Sequence, residues 1–453
     1  MFENNKIFIL GMARSGVAAA KTLLKRNNEI IINDIKDEDK LNTSDIKELK
    51  ELGAKIILGD HPVSLLDDSF DYIIKNPGIR DDHKLIIKAK ELGIKVINEA
   101  ELAYDLLPND VTLIGITGTN GKTTTTTLIY EILKKAFGTR VHLAGNIGFP
   151  LCGVLDKLKS NDIIVMEVSV QQSVNFEHFH PHIALMTNLS PAHIDFVGNY
   201  ENYKKIKANM FHNQKENDIA ILNLNDKDVI DIMKDIKSNK KYFSSTKEAT
   251  CYLKNEAIYY LNEKVMDRDI IKIPGIHNIE NILGAISVAK ELNVSNEIIN
   301  EVISNFTGVE HRLEFVKEIN KVRFYNDTEA TNIKCTEIAL SSFTAPTIII
   351  LGGLERGQNF DDLIPYSKNI KAIIGIGQTR ERVREFGKKI NVKTYIHEYL
   401  KDGFKEIKPI MKPGDVVLLS PASASWDQYK ECEIRGNEFK DLVKELNDEN
   451  KDK

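Results

Sequence analysis

The chain has 453 residues, of which 42% are hydrophobic and 28% charged, and its formal net charge is −5 at pH 7. This composition is ordinary for a globular protein of about three domains. The slightly acidic chain carries no basic cluster and no apolar run of about 18 residues, which argues against a nucleic-acid partner and a membrane span. Its four cysteines are far apart, without a C-x-x-C pair. This spacing disfavours a zinc site or a disulfide framework and favours the cytoplasm.

Short apolar runs alternate with amphipathic helical stretches along most of the chain, which is the pattern of parallel α/β sheets. One boundary is expected where a helix ends at Pro108, and another where the last helix of the middle region ends. The predicted blocks are 1–106, 107–308 and 309–453. Within the second block, the short polar runs of residues 240–275 predict a small antiparallel excursion.

The first block opens with a strand–helix–strand unit similar to a dinucleotide-binding fingerprint. Gly11 closes the first strand, Gly16 opens the helix, and Asp34 ends the second strand. The middle glycine of G-x-G-x-x-G is replaced by Ala13, whose side chain would crowd a pyrophosphate, so NAD is disfavoured. We expect another nucleotide, with Asp34 accepting from its base or ribose, although a purely structural turn stays open. The turn at residues 76–78 follows a later strand, at the edge where such sheets bind ligands.

The motif TGTNGKT follows the apolar run VTLIGI and leads into a helix. Gly118 and Gly121 let the backbone approach an anion, Lys122 supplies a positive charge, and Thr123 supplies a hydroxyl for Mg²⁺. A strict Walker A motif would need glycine where Ile116 stands, so the motif is a shorter form. It predicts a nucleoside triphosphate site, with a chance glycine-rich turn as the alternative.

Two later strands end in candidate metal ligands. Glu167 follows the run IIVM, and His193 follows the run ending in TNLSPA. A carboxylate together with a Ser or Thr hydroxyl is typical of Mg²⁺ at a triphosphate, so Glu167 and Thr123 fit one ion. His193 is a candidate ligand of a second metal, although a histidine in a loop is more often a hydrogen-bonding surface residue.

Ten motifs occur in the order TGTNGKTT, HLAGNIG, EVSVQQ, TNLSPAHID, NYENYKKIK, IPGIHNIENILGA, EHRLEFV, NDTEATN, ILGG and SPASASWDQYKECEIRGNEF. Together they resemble the Mur ligase family over nearly the whole chain, and most of all its D-glutamate-adding branch. The resemblance implies three α/β domains: a Rossmann-like N-terminal domain that binds the UDP-substrate, a P-loop-type central ATPase domain with a mainly parallel sheet, and a Rossmann-like C-terminal domain that binds the amino acid.

The same resemblance implies an ATP-dependent ligase that joins D-glutamate to UDP-N-acetylmuramoyl-L-alanine through an acyl phosphate, giving ADP and phosphate. It would act as a cytoplasmic monomer in peptidoglycan precursor synthesis. The implied cofactors are ATP, Mg²⁺ at two sites, and CO2 bound as a lysine carbamate. The carbamylated residue would be Lys207, although Lys204 and Lys205 are close in sequence and three solvated helix lysines are the alternative without the family.

The resemblance also implies a role for each of several residues. The catalytic and metal-binding residues are Lys122, Thr123, Glu167, His193 and carbamylated Lys207. The ATP-binding residues are Gly118, Thr119, Asn120, Gly121, Lys122, Thr123, Thr124, Asn278, Asn281, Arg312 and Asp327. The UDP-substrate residues are Ala13, Arg14, Ser15, Asp34, Asn76, Pro77, Gly78, Asn146, Ser169 and Gln172. The acceptor residues are Thr331, Arg356 and Ser425.

Five positions depart from the pattern of that branch. Glu329 and Arg356 stand where lysines are usual, Val170 and Gln171 where Ser and Phe are usual, and Cys432 where an aromatic residue is usual. A negative charge at residue 329 would weaken binding of a dicarboxylate. A related Mur ligase with another acceptor and a non-catalytic nucleotide-binding homologue therefore stay open. The uridine-type first block disfavours a folylpolyglutamate synthetase, and the phosphate loop disfavours an NAD oxidoreductase.

Overall fold

The computed structural model describes residues 2–448, and the chain forms two compact units. The first unit comprises Met1–Met266 and Glu280–Val302, and the second comprises Asp267–Ile279 and Ile303–Lys453. The first two of the three sheets belong to the first unit, and the third belongs to the second unit.

The first sheet is parallel throughout, with the strand order β3-β2-β1-β4-β5. Because β1 lies between β2 and β4, the direction of winding reverses beside it, and ligands bind at the carboxyl ends of strands at such a point. The strands are β1 (Lys6–Leu10), β2 (Glu29–Asp34), β3 (Lys55–Leu58), β4 (Tyr72–Lys75) and β5 (Lys95–Asn98). The helices are α1 (Arg14–Leu24), α2 (Thr43–Glu51), α3 (Lys84–Glu91) and α4 (Glu99–Asp105).

The second sheet has nine strands in the order β14-β13-β12-β11-β10-β9-β6-β8-β7. The strands are β6 (Thr112–Thr117), β7 (Val141–Gly145), β8 (Ile163–Glu167), β9 (Ile183–Met186), β10 (Ile219–Asn223), β11 (Asn239–Ser244), β12 (Cys251–Lys254), β13 (Ala257–Tyr260) and β14 (Glu263–Asp267). The helices are α5 (Lys122–Phe137), α6 (Val170–Ser173), α7 (Ile194–Val197), α8 (Tyr200–His212), α9 (Lys227–Ile232), α10 (Ile276–Glu291) and α11 (Asn296–Asn305). The antiparallel pairing of β12 with β13 confirms the predicted excursion, and β12 joins it to the edge of the main sheet through β11.

The third sheet has the order β15-β16-β20-β17-β18-β19, and β15 pairs antiparallel with β16 while the strands from β16 to β19 run parallel. The strands are β15 (Glu314–Ile319), β16 (Val322–Asn326), β17 (Thr347–Gly352), β18 (Ile370–Ile376), β19 (Thr394–Ile396) and β20 (Val416–Leu419). The helices are α12 (Ile333–Ser341), α13 (Arg380–Lys389), α14 (Leu400–Phe404), α15 (Ile407–Ile410) and α16 (Cys432–Asp448).

The apolar strands explain the layered arrangement. Runs such as TIIILG in β17 and VVLL in β20 are buried along their whole length, as expected for parallel strands covered on both faces. The predicted α/β class with mainly parallel sheets is therefore confirmed. Each sheet lies within one predicted block, and the division into three domains at 106/107 and 308/309 stays our proposal. Among residues 2–448, none of the helices has both the length and the apolar character needed to cross a bilayer.

Candidate active site

The phosphate loop lies between the end of β6 and the start of α5, whose first turn contains Lys122, Thr123 and Thr124. Gly118 and Gly121 have φ angles of +139° and +80°, in the region that favours glycine. A Cβ would lie 1.9 Å from Thr187 Oγ1 if added at Gly118, and 2.1 Å from Asn281 Oδ1 if added at Gly121. None of the described side chains caps α5. Both glycines are therefore required by the backbone, and the open helix start suits an anion.

Thr187 and Asn188, which follow β9, form hydrogen bonds with the phosphate loop. The backbone N–H groups of Thr119 and Asn120 donate to Asn188, at 2.8 Å to its carbonyl and 2.9 Å to its Oδ1. The hydroxyl of Thr187 donates to the Asn120 carbonyl at 2.7 Å. Lys122 Nζ donates to the Thr119 carbonyl at 2.9 Å. These bonds fix the shape of the loop. They also occupy the backbone N–H groups of Thr119 and Asn120, two of the groups that the sequence predicts as phosphate donors.

Glu167 lies directly beside the phosphate loop, because its partner in the pairing of β6 with β8 is Ile116. The side chain is buried, with 1% of the residue exposed. Oε1 accepts a hydrogen bond from Asn146 Nδ2 at 2.7 Å, whereas the buried Oε2 has no hydrogen-bond partner among the described residues. A buried carboxylate oxygen without a partner is unfavourable. The observation fits a carboxylate whose second oxygen is a metal ligand.

Lys207 reaches the same place from α8. It is buried, and its Nζ donates to Thr117 Oγ1 at 3.2 Å and lies 5.3 Å from the centre of the Tyr203 ring. Burial and the positive charge of Lys122 hold the pKa of Lys207 well below its usual value, and Glu167 only partly opposes this. A neutral amine is thus strongly favoured here relative to a solvated lysine.

The two neighbouring lysines on α8 have different surroundings. Lys204 Nζ forms ion pairs with Glu201 at 2.8 Å and with Asp228 at 3.3 Å, and Lys205 is exposed. Lys207 is therefore the one lysine of the three that is buried beside the phosphate loop, which favours it over its neighbours for the predicted carbamate.

His193 precedes α7 and has a φ of +51°. Burial lowers its pKa, and the charges of Lys122 and Lys207 lower it further, against the opposing effect of Asp195. Its imidazole is therefore favoured in the neutral form, which can bind a metal through a ring nitrogen. His193 is therefore within electrostatic reach of Lys122 and Lys207.

A cavity of about 350 Å³ lies within the first unit, and the predicted UDP-substrate residues converge on it. All of them except Asp34 line it, namely Ala13, Arg14, Ser15, Asn76, Pro77, Gly78, Asn146, Ser169 and Gln172. The carboxylate of Asp34 instead accepts from the backbone N–H groups of Met12 at 2.6 Å and Lys36 at 2.9 Å. In this structure Asp34 orders the chain around the first turn, and it does not line the cavity.

The cavity wall is built by hydrogen bonds between strand ends. Asn76 Nδ2 donates to Ser15 Oγ at 3.0 Å, which joins the turns after β4 and β1. Asn98 Nδ2 donates to the Gln172 carbonyl and joins the first sheet to the chain after β8. Ser169 and Gln172 form a capping box at the start of α6. Asn146 lines the cavity and also binds Glu167, so the cavity adjoins the candidate metal ligand.

Four further residues line the cavity and were missed by the sequence reasoning as substrate contacts: Glu99, Gly145, Pro150 and Gln171. Gln171 was noted only as a departure from the family pattern. Glu99 directly follows β5, and the rule that ligands bind at the carboxyl ends of parallel strands could have identified it. Gly145 lies within the AGNIG segment and Pro150 follows it, and neither residue carries a chemical signal of its own.

In the α10 region, Asn281 lies against the phosphate loop, where its Oδ1 accepts from Thr125 Oγ1 at 3.3 Å. Asn278 Nδ2 donates to the Pro274 carbonyl at 2.6 Å at the beginning of α10. The structure thus brings Asn281 to the loop. Asn278 binds the backbone at the helix start, as a helix-terminal amide commonly does.

Arg312 and Asp327 belong to the second unit. Asp327 is buried and accepts from the Leu313 N–H at 3.1 Å and from Ser420 Oγ at 2.7 Å. Burial raises the pKa of Asp327 to about 7. Arg312 Nη2 lies 3.4 Å from Glu329 Oε2. The two predicted ATP residues thus occupy neighbouring chain segments at the end of β16.

The predicted acceptor residues lie on three loops of the second unit. Ser425 is buried, and its Oγ has no hydrogen-bond partner among the described residues. The Arg356 guanidinium lies 4.6 Å from the centre of the Trp426 ring, next to Ser425 in sequence. Thr331 follows β16, and its N–H donates to the Glu329 carbonyl at 2.8 Å. Arg356 and Ser425 are thus brought to one region, whereas no hydrogen bond among the described residues joins Thr331 to them.

Arg435, which the sequence reasoning passed over, joins two of these loops. It is buried on α16, and its Nε and Nη2 donate to Thr328 Oγ1 and the Thr328 carbonyl at 3.0 Å. Nη2 also donates to the Ser423 carbonyl at 3.1 Å. Burial lowers the pKa of Arg435 to about 10. The arginine of the RGNEF motif therefore holds the loops of Thr328 and Ser423 together.

Two of the departures from the family pattern are spatial neighbours. The side-chain oxygen or sulfur atoms of Glu329, Cys432 and Glu433 lie within 4.8 Å of one another. Burial raises the pKa of the Cys432 thiol to about 11, and the charge of Glu329 adds to this effect. Arg312 partly neutralises Glu329. The departures at Glu329 and Cys432 therefore affect the same small part of the protein surface.

Three family models match successive parts of the chain. They are the MurD-like N-terminal domain of Mur ligases over residues 5–98, the Mur ligase middle domain over 116–289, and the Mur ligase glutamate ligase domain over 311–423. The chain is 44% identical over 451 residues to proteins named UDP-N-acetylmuramoylalanine–D-glutamate ligase from Bacillus thuringiensis (strain Al Hakam) and Bacillus anthracis, with 98% of each chain covered. The chain therefore belongs to the Mur ligase family.

Solved structures agree with this assignment at the level of the fold. The UDP-N-acetylmuramate-alanine ligase of Thermotoga maritima aligns with a TM-score of 0.58 at 18% identity, covering 98% of this chain and 100% of that chain. MurF of Acinetobacter baumannii aligns with a TM-score of 0.56 at 17% identity, covering 92% of this chain and 90% of that chain. The likeness to these two proteins is therefore one of overall fold at low sequence identity.

Proposed function

We propose that this chain is an ATP-dependent ligase that joins D-glutamate to UDP-N-acetylmuramoyl-L-alanine in cytoplasmic peptidoglycan precursor synthesis. The relatives at 44% identity carry this activity in their names. The observation that carries the proposal is the position of Asn146, which lines the substrate cavity and binds Glu167 beside the phosphate loop. A substrate in this cavity would extend toward the triphosphate site.

The reaction has two steps. An oxygen of the substrate's terminal carboxylate attacks the γ-phosphorus of ATP, ADP leaves, and an acyl phosphate forms. The amine nitrogen of D-glutamate then attacks the acyl carbon, loses a proton, and displaces phosphate to give the amide. Both steps depend on aligned reactants and on stabilisation of negative charge.

The residues around the phosphate loop are suited to these needs. Lys122 and the N–H groups at the start of α5 would hold the phosphates, because a helix N-terminus favours anions. Thr123 and Glu167 would hold one Mg²⁺, which fits the unpartnered Oε2 of Glu167. When bound, Mg²⁺ neutralises charge on the triphosphate and polarises the phosphoryl group that is transferred.

Lys207 is the residue that we propose to carry the carbamate. A lysine that is buried next to Lys122 is unfavourable as a cation, and its lowered pKa supplies the neutral amine that reacts with CO2. The resulting anion would be a ligand of a second Mg²⁺ together with Glu167 and His193. Carbamylation would thus place a negative charge beside the cationic Lys122 where the unmodified chain has a neutral amine.

The acceptor would bind to the second unit. Arg356 offers a guanidinium for a carboxylate, and Ser425 offers a buried hydroxyl without a partner among the described residues. Thr331 completes the set that the family implies, and Asn278, Asn281, Arg312 and Asp327 would contact ATP. We further propose that the chain acts as a monomer.

Glu329 motivates one second candidate, a Mur ligase with a different acceptor. The test is phosphate release with ATP, Mg²⁺, bicarbonate and UDP-N-acetylmuramoyl-L-alanine across a panel of D- and L-amino acids. We expect release with D-glutamate alone. Release with another amino acid would keep the ligase chemistry and replace the acceptor. Binding of ATP without release for any amino acid would indicate a non-catalytic homologue.

A further inference from the structure

Glu99 is a buried carboxyl group in the wall of the substrate cavity. It is the first residue of α4, only 1% of it is exposed, and it lines the cavity beside the turn at residues 76–78. Its Oε1 accepts the backbone N–H of Cys152, and the Cys152 thiol donates to the Glu99 carbonyl at 3.7 Å. Within residues 2–448, no lysine, arginine or histidine forms an ion pair with it. An ionised carboxylate at this position would therefore have very little contact with water and no counter-charge among the described residues.

The other charged groups on the surrounding elements have partners of their own. These are Arg14 with the Gly148 carbonyl, Lys21 with Asp45 and Glu48, Lys25 with Asp156, Arg26 with the Thr22 carbonyl, Lys75 with Asp81, Lys95 with Glu177, Glu101 with the N–H groups of His178 and Phe179, Asp105 with His178, and Lys157 with the Phe149 ring. The Cys152 thiol is the titratable group that contacts Glu99, and burial raises its pKa well above its usual value. Cys152 therefore adds no negative charge near pH 7.

The protonation state of Glu99 is balanced near neutral pH. Burial raises its pKa to about 7, against the opposing effect of the Cys152 hydrogen bonds. An anion that enters the cavity would raise the pKa further, because a like charge disfavours the carboxylate. The cavity is therefore able to take up a proton as it is filled.

We propose that Glu99 contacts the sugar-nucleotide substrate as a neutral carboxylic acid, so that filling the cavity takes up a proton from solvent in those molecules whose Glu99 is ionised beforehand. The inference rests on the proposed function, because it requires a substrate that carries a diphosphate. A neutral carboxyl presents an O–H donor to a phosphate or carbonyl oxygen of the ligand, whereas a carboxylate would repel the same oxygen. Glu99 would thus be a substrate-binding residue with a pH-dependent contribution.

The test is calorimetric titration of the full chain with UDP-N-acetylmuramoyl-L-alanine, without ATP, in buffers that differ in ionisation enthalpy. For the wild-type chain we expect uptake of about half a proton at pH 7, and an affinity that falls about tenfold from pH 6 to pH 8. Glu99→Gln keeps the size and an N–H donor, so it should bind without proton uptake and with a flat pH profile.

Glu101→Gln is the matched control, because Glu101 is a buried glutamate on the same helix that binds backbone N–H groups and does not line the cavity. It should keep the wild-type proton uptake. Equal uptake in the wild-type chain and in Glu99→Gln would overturn the inference and leave the ligase proposal intact. Binding without uptake by the wild-type chain would also overturn it, even if Glu99→Gln failed to fold. No binding by any form would overturn the proposed function and this inference together.

Discussion

The candidate sites of the two units differ in the chemical groups that they carry and in what holds those groups in place. In the first unit, the charge of Lys122 acts on both Lys207 and His193, and the carboxylates of Glu167 and Asp195 oppose its effect on Lys207 and His193 respectively. In the second unit, Glu329 and Glu433 lie beside Cys432, and Glu329 pairs with Arg312. The phosphate loop depends on glycine backbone geometry, whereas the acceptor loops are joined by the side chain of Arg435.

This difference indicates which substitutions the phosphate loop and the acceptor loops can tolerate. A residue larger than glycine at Gly118 or Gly121 would collide with fixed neighbours, so the phosphate loop has little freedom to vary. The surface around Glu329 and Cys432 is partly exposed, and water weakens the effect of a changed charge there. The family motif is accordingly intact in the phosphate loop and altered in the acceptor loops.

The largest expected effect tests the phosphate loop. Lys122→Met removes the charge that would hold the transferred phosphoryl group, and we expect kcat/KM to fall by about 10²–10³-fold. Steady-state phosphate release measures this. Lys205→Met, which removes an exposed lysine of α8, should stay within about twofold of the wild-type chain. A loss below about fivefold in Lys122→Met would contradict the role of the loop.

The second prediction concerns Lys207. Lys207→Met removes the proposed carbamate, and we expect activity to fall by about 10²-fold or more. Spectra recorded with ¹³C-labelled bicarbonate should show a carbamate carbon in the wild-type chain that is lost in Lys207→Met. Lys204→Met should retain the signal, because Lys204 pairs with Glu201 and Asp228. A carbamate signal that survives in Lys207→Met would place the modification elsewhere.

The third prediction concerns stability and pH. Burial raises the pKa of Glu99 to about 7, so folding disfavours its ionised form. Ionisation of Glu99 stabilises the unfolded chain between about pH 4.5 and pH 7. The free energy of unfolding therefore falls by up to about 3 kcal/mol as the pH rises through that window. The difference in unfolding free energy between Glu99→Gln and the wild-type chain should grow in favour of the variant from pH 5 to pH 7 and then level off. Urea unfolding at several pH values checks this, and a constant difference would show that Glu99 titrates normally.

A smaller effect is expected for Lys75, which holds the turn at residues 76–78. Its buried Nζ donates to the Ile79 carbonyl and to Asp81, both at 2.7 Å. Burial lowers the pKa of Lys75, so the ion pair contributes little net stability. We expect Lys75→Met to change the unfolding free energy by about 1 kcal/mol or less and to raise the KM for the sugar nucleotide several-fold. An unchanged KM would show that the turn keeps its shape without Lys75.

The smallest effect should come from Glu329→Lys in the second unit. The variant removes a negative charge beside the proposed acceptor site, so the KM for D-glutamate should stay constant or fall by a few-fold. Glu433→Lys changes the same local charge at a position that matches no predicted contact, and its effect on KM should be similar. A large rise in KM for Glu329→Lys alone would show that Glu329 has a specific role in this chain and would sharpen the contrast between the two units.

The strand and helix pattern could be predicted from the sequence because parallel α/β units leave strong local signals. Continuous apolar runs predict buried strands, and the glycine positions predict the turns at Gly11, Gly118 and Gly121. The substrate residues could be named because the motifs match a family over the whole chain. Asp34 shows the limit of this approach, because its carboxylate binds the backbone near its own strand and does not line the cavity.

The sequence by itself determined the phosphate loop, the α/β class and the family, because these depend on short segments whose chemistry is complete within a few residues. The tertiary structure alone decided which lysine of α8 is buried, that Asn146 joins the cavity to Glu167, and that Glu99 lines the cavity. It also placed Glu329 beside Cys432, 103 residues later in the chain. Burial, pKa shifts and contacts between distant segments depend on packing, which no local pattern of residues records.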